Sequence, residues 1–426
     1  MKIVLIGSLY PPYAFGGAEK AIAMLAEALV RRGHNVVVVT LHRGHSEGTE
    51  ERNGLRLYHL PLDNVYWPFD QPARRNPLMR LLWHLREMWN SKAARRIGKI
   101  LDLETPDVVH THNISGFSVA IWRAVKKRRI RLVHTLHDYY LLCPRHTLYR
   151  DGGSCQSRCA SCRLLAAGRK ATSRAPDEIV SVSQFTLDRH KNLGFFPNAV
   201  SRVIYNIQPA NGDRMPGTVP RSNPDALTFG FIGKIEPEKG LEVVLQATRY
   251  LTRPGWRLNI AGNATGAYGS SLRQKYADER IHWLGFTTAS EFYPTVDVVV
   301  IPSQWDEPLA YVCVESLHEG KSMICARAGG LPEIARLGTV VETFPAGNVE
   351  ELARLMNSAL DDQVKWKANV PLQSVARDYF SEETIVGEYL CAYRPEGSAG
   401  VPHTSNEDRM PTVLSGEYVF IDREGR

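Results

Sequence analysis

The stretch Pro302–Ile334 reads PSQWDEPLAYVCVESLHEGKSMICARAGGLPEI. It carries two carboxylates, Glu307 and Glu315, eight positions apart. The pattern between them predicts a helix over Ala310–Glu319, and Pro308 suits the first position of a helix. Eight residues make a little over two turns, so the two carboxylates are expected near one face.

Free backbone N–H groups are expected at the start of this helix, on Leu309, Ala310 and Tyr311. They would point toward an anionic or polar ligand beside Glu307, whose carboxylate can accept hydrogen bonds from hydroxyl groups. A plainer interpretation stays open, in which Glu307 complements the helix dipole and Glu315 is a solvated helix residue.

The residues around the glutamate pair carry a resemblance. The apolar run Val296–Ile301 leads into the loop, and a Gly-Gly turn, Gly329–Ile334, follows it. Strand, loop, helix and turn in this order resemble the E-x7-E signature of retaining GT-B glycosyltransferases, in particular the nucleotide-sugar-dependent family 4. The resemblance extends over roughly residues 1–390. It implies an α/β fold of two Rossmann-like, doubly wound domains that face a cleft.

Length and composition agree with a globular protein of two domains. The chain has 426 residues, of which 43% are hydrophobic and 23% charged. Its apolar runs are too short to cross a bilayer, and MKIVLIGSLYPP reads as a first strand rather than a signal peptide. These features predict a cytoplasmic protein.

The chain is basic, with a net charge of +7, and its basic residues cluster. Several of them lie in the segment 74–99, interleaved with Trp83, Leu85 and Trp89. A solvated helix face explains this pattern, and docking on an anionic membrane leaflet is the functional alternative. No nucleic-acid motif accompanies the charge, so no nucleic-acid partner is predicted.

The pattern of strands and helices repeats twice along the chain. The opening residues predict strand Lys2–Ile6, a Gly-rich turn at Gly16-Gly17, helix Ala18–Arg32 and strand Asn35–Thr40, a Rossmann-like unit. The predicted parts of the chain are an N-terminal acceptor-side domain, 1–207; a linker, 208–225; a nucleotide-sugar-binding domain, 226–375; a terminal helix returning to the first domain, 376–394; and a flexible tail, 395–426.

Two lysines flank the turn that follows the first strand of the second domain. Lys234 and Lys239 stand in GKIEPEKG, where ammonium groups and a helix N-terminus can act together on a phosphate. The resembled family usually has Arg at the position of Lys234, so the positive charge is kept here while bidentate geometry is lost.

Further site residues come from the resemblance. It implies that Gly16 and Gly17 touch the donor diphosphate and the acceptor, that His137 lies beside the transferred sugar, and that Asn206 lies near the cleft. It also implies that Glu315 holds the ribose, and that Glu307 holds the sugar with the backbone of Leu309 and Ala310.

A cysteine-rich loop, 143–162, follows His137. Cys143, Cys155, Cys159 and Cys162 have the spacing C-x11-C-x3-C-x2-C, which predicts a structural zinc site with four thiolate ligands. Asp151-Gly152-Gly153 predicts a hairpin-type turn that folds the loop back. Reduced thiols without a metal remain the alternative.

The sequence therefore predicts transfer of a sugar from a GDP- or UDP-sugar to a hydroxyl of a glycan or lipid-linked acceptor. No D-x-D motif is present, and no metal is expected to be required for catalysis. A nucleotide-sugar-binding protein without activity, and a glycosidase that uses Glu307 and Glu315, are the alternatives.

Overall fold

The computed structural model describes residues 1–13, 16–69, 76–208, 226–368 and 377–395. Except for Gln208 and Pro395, the predicted linker 208–225 and tail 395–426 lie outside the described residues. Within the described residues, no helix combines the length and apolarity that a bilayer crossing needs.

The N-terminal part of the chain builds an eight-stranded sheet. In chain order its strands are β1 (Lys2–Ile6), β2 (Asn35–His42), β3 (Gly48–Arg52), β4 (Leu55–Pro61), β5 (Val108–Thr111), β6 (Arg131–Leu136), β9 (Glu178–Ser181) and β10 (Val200–Val203). Strands β7 (Tyr149–Arg150) and β8 (Gly153–Ser154), which lie between β6 and β9 in the chain, form a separate hairpin. Their order across the sheet is β10-β9-β6-β5-β1-β2-β4-β3. Neighbouring strands are parallel except β3, which pairs antiparallel with β4.

Helices cover both faces of this sheet. They are α1 (Gly17–Arg31), α2 (Pro77–Met88), α3 (Ser91–Glu104), α4 (Ala120–Lys126), α5 (Ala160–Thr172) and α6 (Gln184–Lys191). Successive β1 residues belong to different cores: Ile3 packs in one core with Leu25 of α1, and Val4 in the other with Ile97 of α3. A strand buried on both faces must be apolar throughout, which is why β1 and β2 read as continuous hydrophobic runs.

The second half of the chain repeats the plan. Its six strands, all parallel, are β11 (Leu227–Ile232), β12 (Trp256–Ala261), β13 (Ile281–Gly285), β14 (Val298–Ile301), β15 (Ser322–Arg327) and β16 (Val341–Pro345), in the order β13-β12-β11-β14-β15-β16. Its helices are α7 (Leu241–Ala247), α8 (Ala267–Lys275), α9 (Ala289–Phe292), α10 (Tyr311–His318), α11 (Leu331–Ala335), α12 (Val349–Asp361) and α13 (Gln363–Lys367). The predicted fold class, two doubly wound α/β domains, is confirmed.

Two helical segments are interrupted. The segment that begins at Pro77 is divided at Trp89, which is extended, and the Asn90 side chain caps α3 by accepting from Ala93 N at 3.0 Å. Helix α7 ends at Ala247 and is followed by a 3-10 turn.

The last helix, α14 (Glu382–Ala392), lies on the N-terminal domain. Its C-terminal end is held by Tyr393, whose hydroxyl lies 2.8 Å from Nδ1 of the buried His110 on β5. Arg131 of β6 donates to the carbonyl of Ala392 at 2.8 Å.

The two segments by which the chain passes between domains meet. Gln208 N donates to Phe380 O at 2.9 Å, and the rings of Tyr205 and Phe380 lie 5.4 Å apart. The described residues that border the two crossings are therefore in contact.

We predict that Tyr393→Phe lowers the free energy of unfolding by about 1–3 kcal/mol, because the buried His110 Nδ1 loses its partner while the ring still fills its space. Tyr250→Phe, at a tyrosine that is largely exposed, is the matched control and should leave stability within about 0.5 kcal/mol. Urea denaturation measures both. Equal stabilities for Tyr393→Phe and the parent would show that the contact contributes nothing.

Candidate active site

A cleft of about 1460 Å³ lies between the two domains. Every donor-site residue predicted from the sequence lines it: Gly16, Gly17, His137 and Asn206 from the N-terminal domain, and Lys234, Lys239, Glu307, Leu309, Ala310 and Glu315 from the C-terminal domain. The structure thus brings together side chains that are up to 299 positions apart, from Gly16 to Glu315. The four cysteines do not line this cleft.

Glu307 is buried in the cleft wall, only 4% exposed. One carboxylate oxygen, Oε1, accepts from Lys239 Nζ at 2.6 Å and from Ser303 Oγ at 2.7 Å. The backbone of Glu307 is bridged to Gly329, and a Cβ at that glycine would come within 2.3 Å of Glu307 O. Gly329 has φ +62°, so both its conformation and the close contact require glycine.

The loop after Glu307 corrects the predicted helix start. Pro308 is not its first residue but lies in a bend, where Gly330 N donates to Glu307 O at 2.7 Å, and Ala310 directly before the helix is extended. Helix α10 begins at Tyr311 and ends at His318, and no side chain of the described residues caps its N-terminus. Its first turn therefore opens into the cleft, as expected for an anion-binding site.

Glu315 bridges the two domains. Its Oε1 lies 3.4 Å from Lys20 Nζ on α1, and its Oε2 accepts from Tyr293 OH at 3.2 Å. Lys20 also lies over the Tyr311 ring, with the ammonium 5.3 Å from the ring centre. Sequence reasoning missed Lys20, although it follows the Gly-Gly-Ala-Glu turn directly.

The Gly16-Gly17 turn has a partner that the sequence did not indicate. A Cβ on Gly17 would lie 2.6 Å from the Tyr311 ring, so this glycine makes room for the facing domain. Glu19, in the first turn of α1, lines the cleft, and burial raises the pKa of its carboxyl. The turn therefore fixes how closely the two domains approach.

Glu333, from the end of the Gly-Gly stretch, provides a second contact between domains. Its carboxylate accepts from the backbone N–H groups of Gln184 and Phe185, at the start of α6, and from Tyr205 OH at 3.0 Å. A carboxylate at a helix N-terminus satisfies free donors and complements the helix dipole. Nothing in the spacing of the sequence pointed to this role.

His137 stands at the carboxyl end of β6, in the cleft wall. Its Nε2 lies 2.9 Å from Nδ1 of His112, whose own ring is buried. Burial lowers the pKa of His137 to about 4, against the opposing effect of Asp138, so the imidazole is neutral at pH 7. The sequence analysis did not identify His112, whose ring orients that of His137.

The two lysines of the phosphate-binding hypothesis lie on opposite sides of a turn. Lys234 follows β11, and Lys239 ends a 3-10 turn just before α7. Gly240 at its start has φ +73°, and a Cβ there would lie 2.0 Å from Pro302 O. Lys239 also lies over the Trp305 ring at 5.0 Å, so its ammonium is held close to Glu307.

The cysteine loop folds back as predicted. β7 and β8 pair antiparallel, and Asp151 and Gly152 both have positive φ in the turn between them. Burial and the neighbouring thiols of Cys159 and Cys143 raise the pKa of Cys162, so these three thiols lie near one another.

The described residues nevertheless include no group of three or more His, Cys, Asp or Glu side chains arranged to hold a metal ion. All four cysteines are free thiols in this arrangement, Cys143 and Cys162 buried and Cys159 exposed. The zinc site stays a prediction. Ser154 Oγ of the hairpin donates to Gln304 O, so the loop also contacts the C-terminal domain.

The chain is similar to known glycosyltransferases. Residues 15–207 match Glycosyltransferase Family 4, and residues 219–376 match Glycosyl transferases group 1. An uncharacterized 42.6 kDa protein in the cps region of Klebsiella pneumoniae is 34% identical over 337 residues, which cover 79% of this chain and 88% of that protein. A glycogen synthase of Mycobacterium tuberculosis is 26% identical, with 99% and 100% covered.

Solved structures agree on the fold. Sucrose-phosphate synthase from Thermosynechococcus elongatus superimposes with a TM-score of 0.68 at 18% identity, over 92% of this chain and 98% of that one. HepE of Anabaena, solved in complex with UDP and glucose, gives 0.63 at 21% identity, over 92% and 99%. The chain belongs to the family 4 type of GT-B glycosyltransferases, and it is a transferase.

We predict that stability falls as the pH drops from 7 to 5. Burial lowers the pKa of His134 to about 3 and that of His137 and His190 to about 4. The unfolded chain binds protons near pH 6.5 and the folded chain does not, so each such histidine costs about 1.4 kcal/mol per pH unit below 6.5. Glu87, with a pKa raised by burial to about 6, acts in the opposite direction.

Urea unfolding at successive pH values measures this slope. His137→Asn should reduce this slope by the contribution of one histidine, about 1.4 kcal/mol per pH unit. His282→Gln, at an exposed position, should not change the slope. A stability that is constant or rises on acidification would contradict the prediction.

We predict that the purified protein carries about one equivalent of zinc, measured by elemental analysis, because four thiolates satisfy a tetrahedral ion. Cys159→Ser should release the metal and lower the melting temperature. Cys391→Ser, at a cysteine remote from the loop, is the control. Metal-free, fully active protein with reactive thiols would show that the loop is held together without zinc.

Proposed function

We propose that the protein transfers a sugar, with retention of anomeric configuration, from a GDP- or UDP-sugar to a hydroxyl of a glycan or lipid-linked acceptor in polysaccharide biosynthesis. The observation that carries this proposal is the convergence of the predicted donor-site residues from both domains on one cleft. The UDP-bound and UDP-glucose-bound forms of HepE, which has the same fold, support a nucleotide-sugar donor.

The nucleotide part is assigned to the C-terminal side of the cleft. Glu315 accepts hydrogen bonds from the ribose hydroxyls, with Tyr293 OH holding its other oxygen. Lys234, Lys239 and the open N-terminus of α10 meet the charge of the diphosphate. With the diphosphate charge met by these groups, the proposed reaction requires no metal ion.

The sugar is assigned to Glu307, the backbone of Leu309 and Ala310, and His137. Glu307 is now paired with Lys239 at 2.6 Å. A bound diphosphate shares the Lys239 ammonium with Glu307, whose second oxygen, Oε2, accepts from the sugar hydroxyls.

In the transfer step the bond between the anomeric carbon and the phosphate oxygen breaks, and a bond to the acceptor oxygen forms on the same face of the sugar. The proton of the acceptor hydroxyl passes to the leaving phosphate. Neutral His137, held by His112, donates a hydrogen bond toward the sugar from its free nitrogen.

We predict different losses for the two glutamates. Glu315→Gln should weaken the free nucleoside diphosphate about 10- to 100-fold, in line with about 1–3 kcal/mol for hydrogen bonds to a charged group. Glu307→Gln should leave that affinity nearly unchanged and abolish transfer, because it contacts sugar rather than nucleotide. Calorimetry measures binding, and release of nucleoside diphosphate in the presence of acceptors measures turnover.

Glu342→Gln, at an exposed glutamate on β16, is the control and should behave as the parent in both assays. Turnover by Glu307→Gln at the parental rate would remove this residue from the site. Tight binding of nucleotide sugars with no release of nucleotide from any acceptor would favour a binding protein without activity, and donor hydrolysis alone would favour a hydrolase.

A further inference from the structure

Helix α2 presents its apolar side to solvent. Leu78, Leu81, Leu82 and Leu85 are 61%, 52%, 42% and 52% exposed, and Trp89 just beyond the helix is 45% exposed. With 100° between successive residues, the spacing places all of them within an arc of about 100°. Such a stripe normally faces a protein core, so its exposure indicates an interaction surface.

Polar and aromatic anchors on the opposite side hold the helix in this orientation. Glu87 is fully buried and accepts from Gly116 N with both oxygens at 3.0 Å, and from the hydroxyl of Tyr140. Trp83 is buried and donates through Nε1 to Tyr66 O at 3.3 Å. Turning the leucines inward would expose these anchored groups, so the stripe is a fixed feature of the surface.

Most of the charges around the stripe are positive. Residues 76–101 contain one acidic residue, the buried Glu87, and the exposed Asp102 that follows is paired with Arg128. The exposed basic residues of this region that do not line the cleft are Arg86, Lys92, Arg95 and Lys99, of which Lys92 is paired with Asp63. Helix α5 packs beside α2 and adds the exposed Arg163 and Lys170, together with Leu164, which is 70% exposed.

We infer that α2 and the adjoining face of α5 dock on an anionic lipid bilayer, with the leucine stripe entering the interface and the basic rim meeting acidic headgroups. An apolar strip flanked mainly by cations matches the interfacial region of such a membrane. A symmetric pairing of two copies through the stripe would place their basic rims against each other, and this repulsion disfavours a second copy as the partner.

The docked helix also borders the cleft. Arg80, Trp83 and His84, on the side of α2 away from the stripe, line it together with Trp67 and Phe69. A bilayer bound to the stripe therefore lies at the mouth of the acceptor side. The conclusion that the acceptor is lipid-linked rests on the proposed function, whereas docking itself does not.

Vesicle flotation tests the docking. The full-length protein should float with vesicles of phosphatidylcholine mixed with phosphatidylglycerol, bind phosphatidylcholine vesicles far more weakly, and lose binding as salt is raised. Leu81→Ser/Leu85→Ser should weaken binding about tenfold or more. The matched control, Leu284→Ser/Val364→Ser, changes two exposed apolar residues of the C-terminal domain and should bind as the parent does.

Other outcomes overturn the inference. They are no binding to either vesicle, equal binding to both, or unchanged binding of the stripe variant. Light scattering that shows a parental dimer and a monomeric stripe variant would instead assign the stripe to a second copy of the chain.

Nucleotide affinity in solution separates this inference from the proposed function. The stripe variant should bind free nucleoside diphosphate as the parent does and lose transfer only to acceptors embedded in vesicles. Failure of the parent to bind any nucleotide sugar would overturn the proposed function and leave the docking result standing.

Discussion

The relative position of the two sheets is the constraint on which the whole cleft depends, and Glu333 fixes it most directly. Its carboxylate takes the first N–H groups of α6 and the hydroxyl of Tyr205 on the opposite domain. The ion pair of Lys20 with Glu315 and the close approach of Gly17 to the Tyr311 ring hold the same interface. Without these contacts the residues that line the cleft would belong to two separate surfaces, because each domain supplies only part of the lining.

Much of this arrangement could be predicted from the sequence, because local patterns encode it. The apolar strands, the Gly-Gly turns and the order of Glu307, helix and Glu315 identify the fold, and they predict that a donor site lies at the carboxyl ends of strands. The predicted helix Ala310–Glu319 agrees with α10 to within one residue at each end, whereas the course of the loop before it could not be predicted. That loop is held by the bridge between Glu307 and Gly329, which are 22 positions apart.

What the sequence could not supply were partners between domains. Lys20 and Glu315 are 295 positions apart, and Gln184 and Glu333 are 149 apart. Each residue alone looks like an ordinary surface group, and only the packing of the two sheets makes it part of an interface. The same holds for His112, which follows a buried strand and whose ring lies beside that of His137.

Because the last helix returns to the N-terminal domain, the C-terminal domain is an insertion within the N-terminal one, and residues that border the two crossings meet at Gln208 and Phe380. A domain whose two ends are held at one place can rotate about that place with little strain. Tyr205 contacts both the Phe380 ring and the Glu333 carboxylate, so such a rotation would keep the contact at Glu333. It would lengthen most the contacts that lie farthest from the crossing.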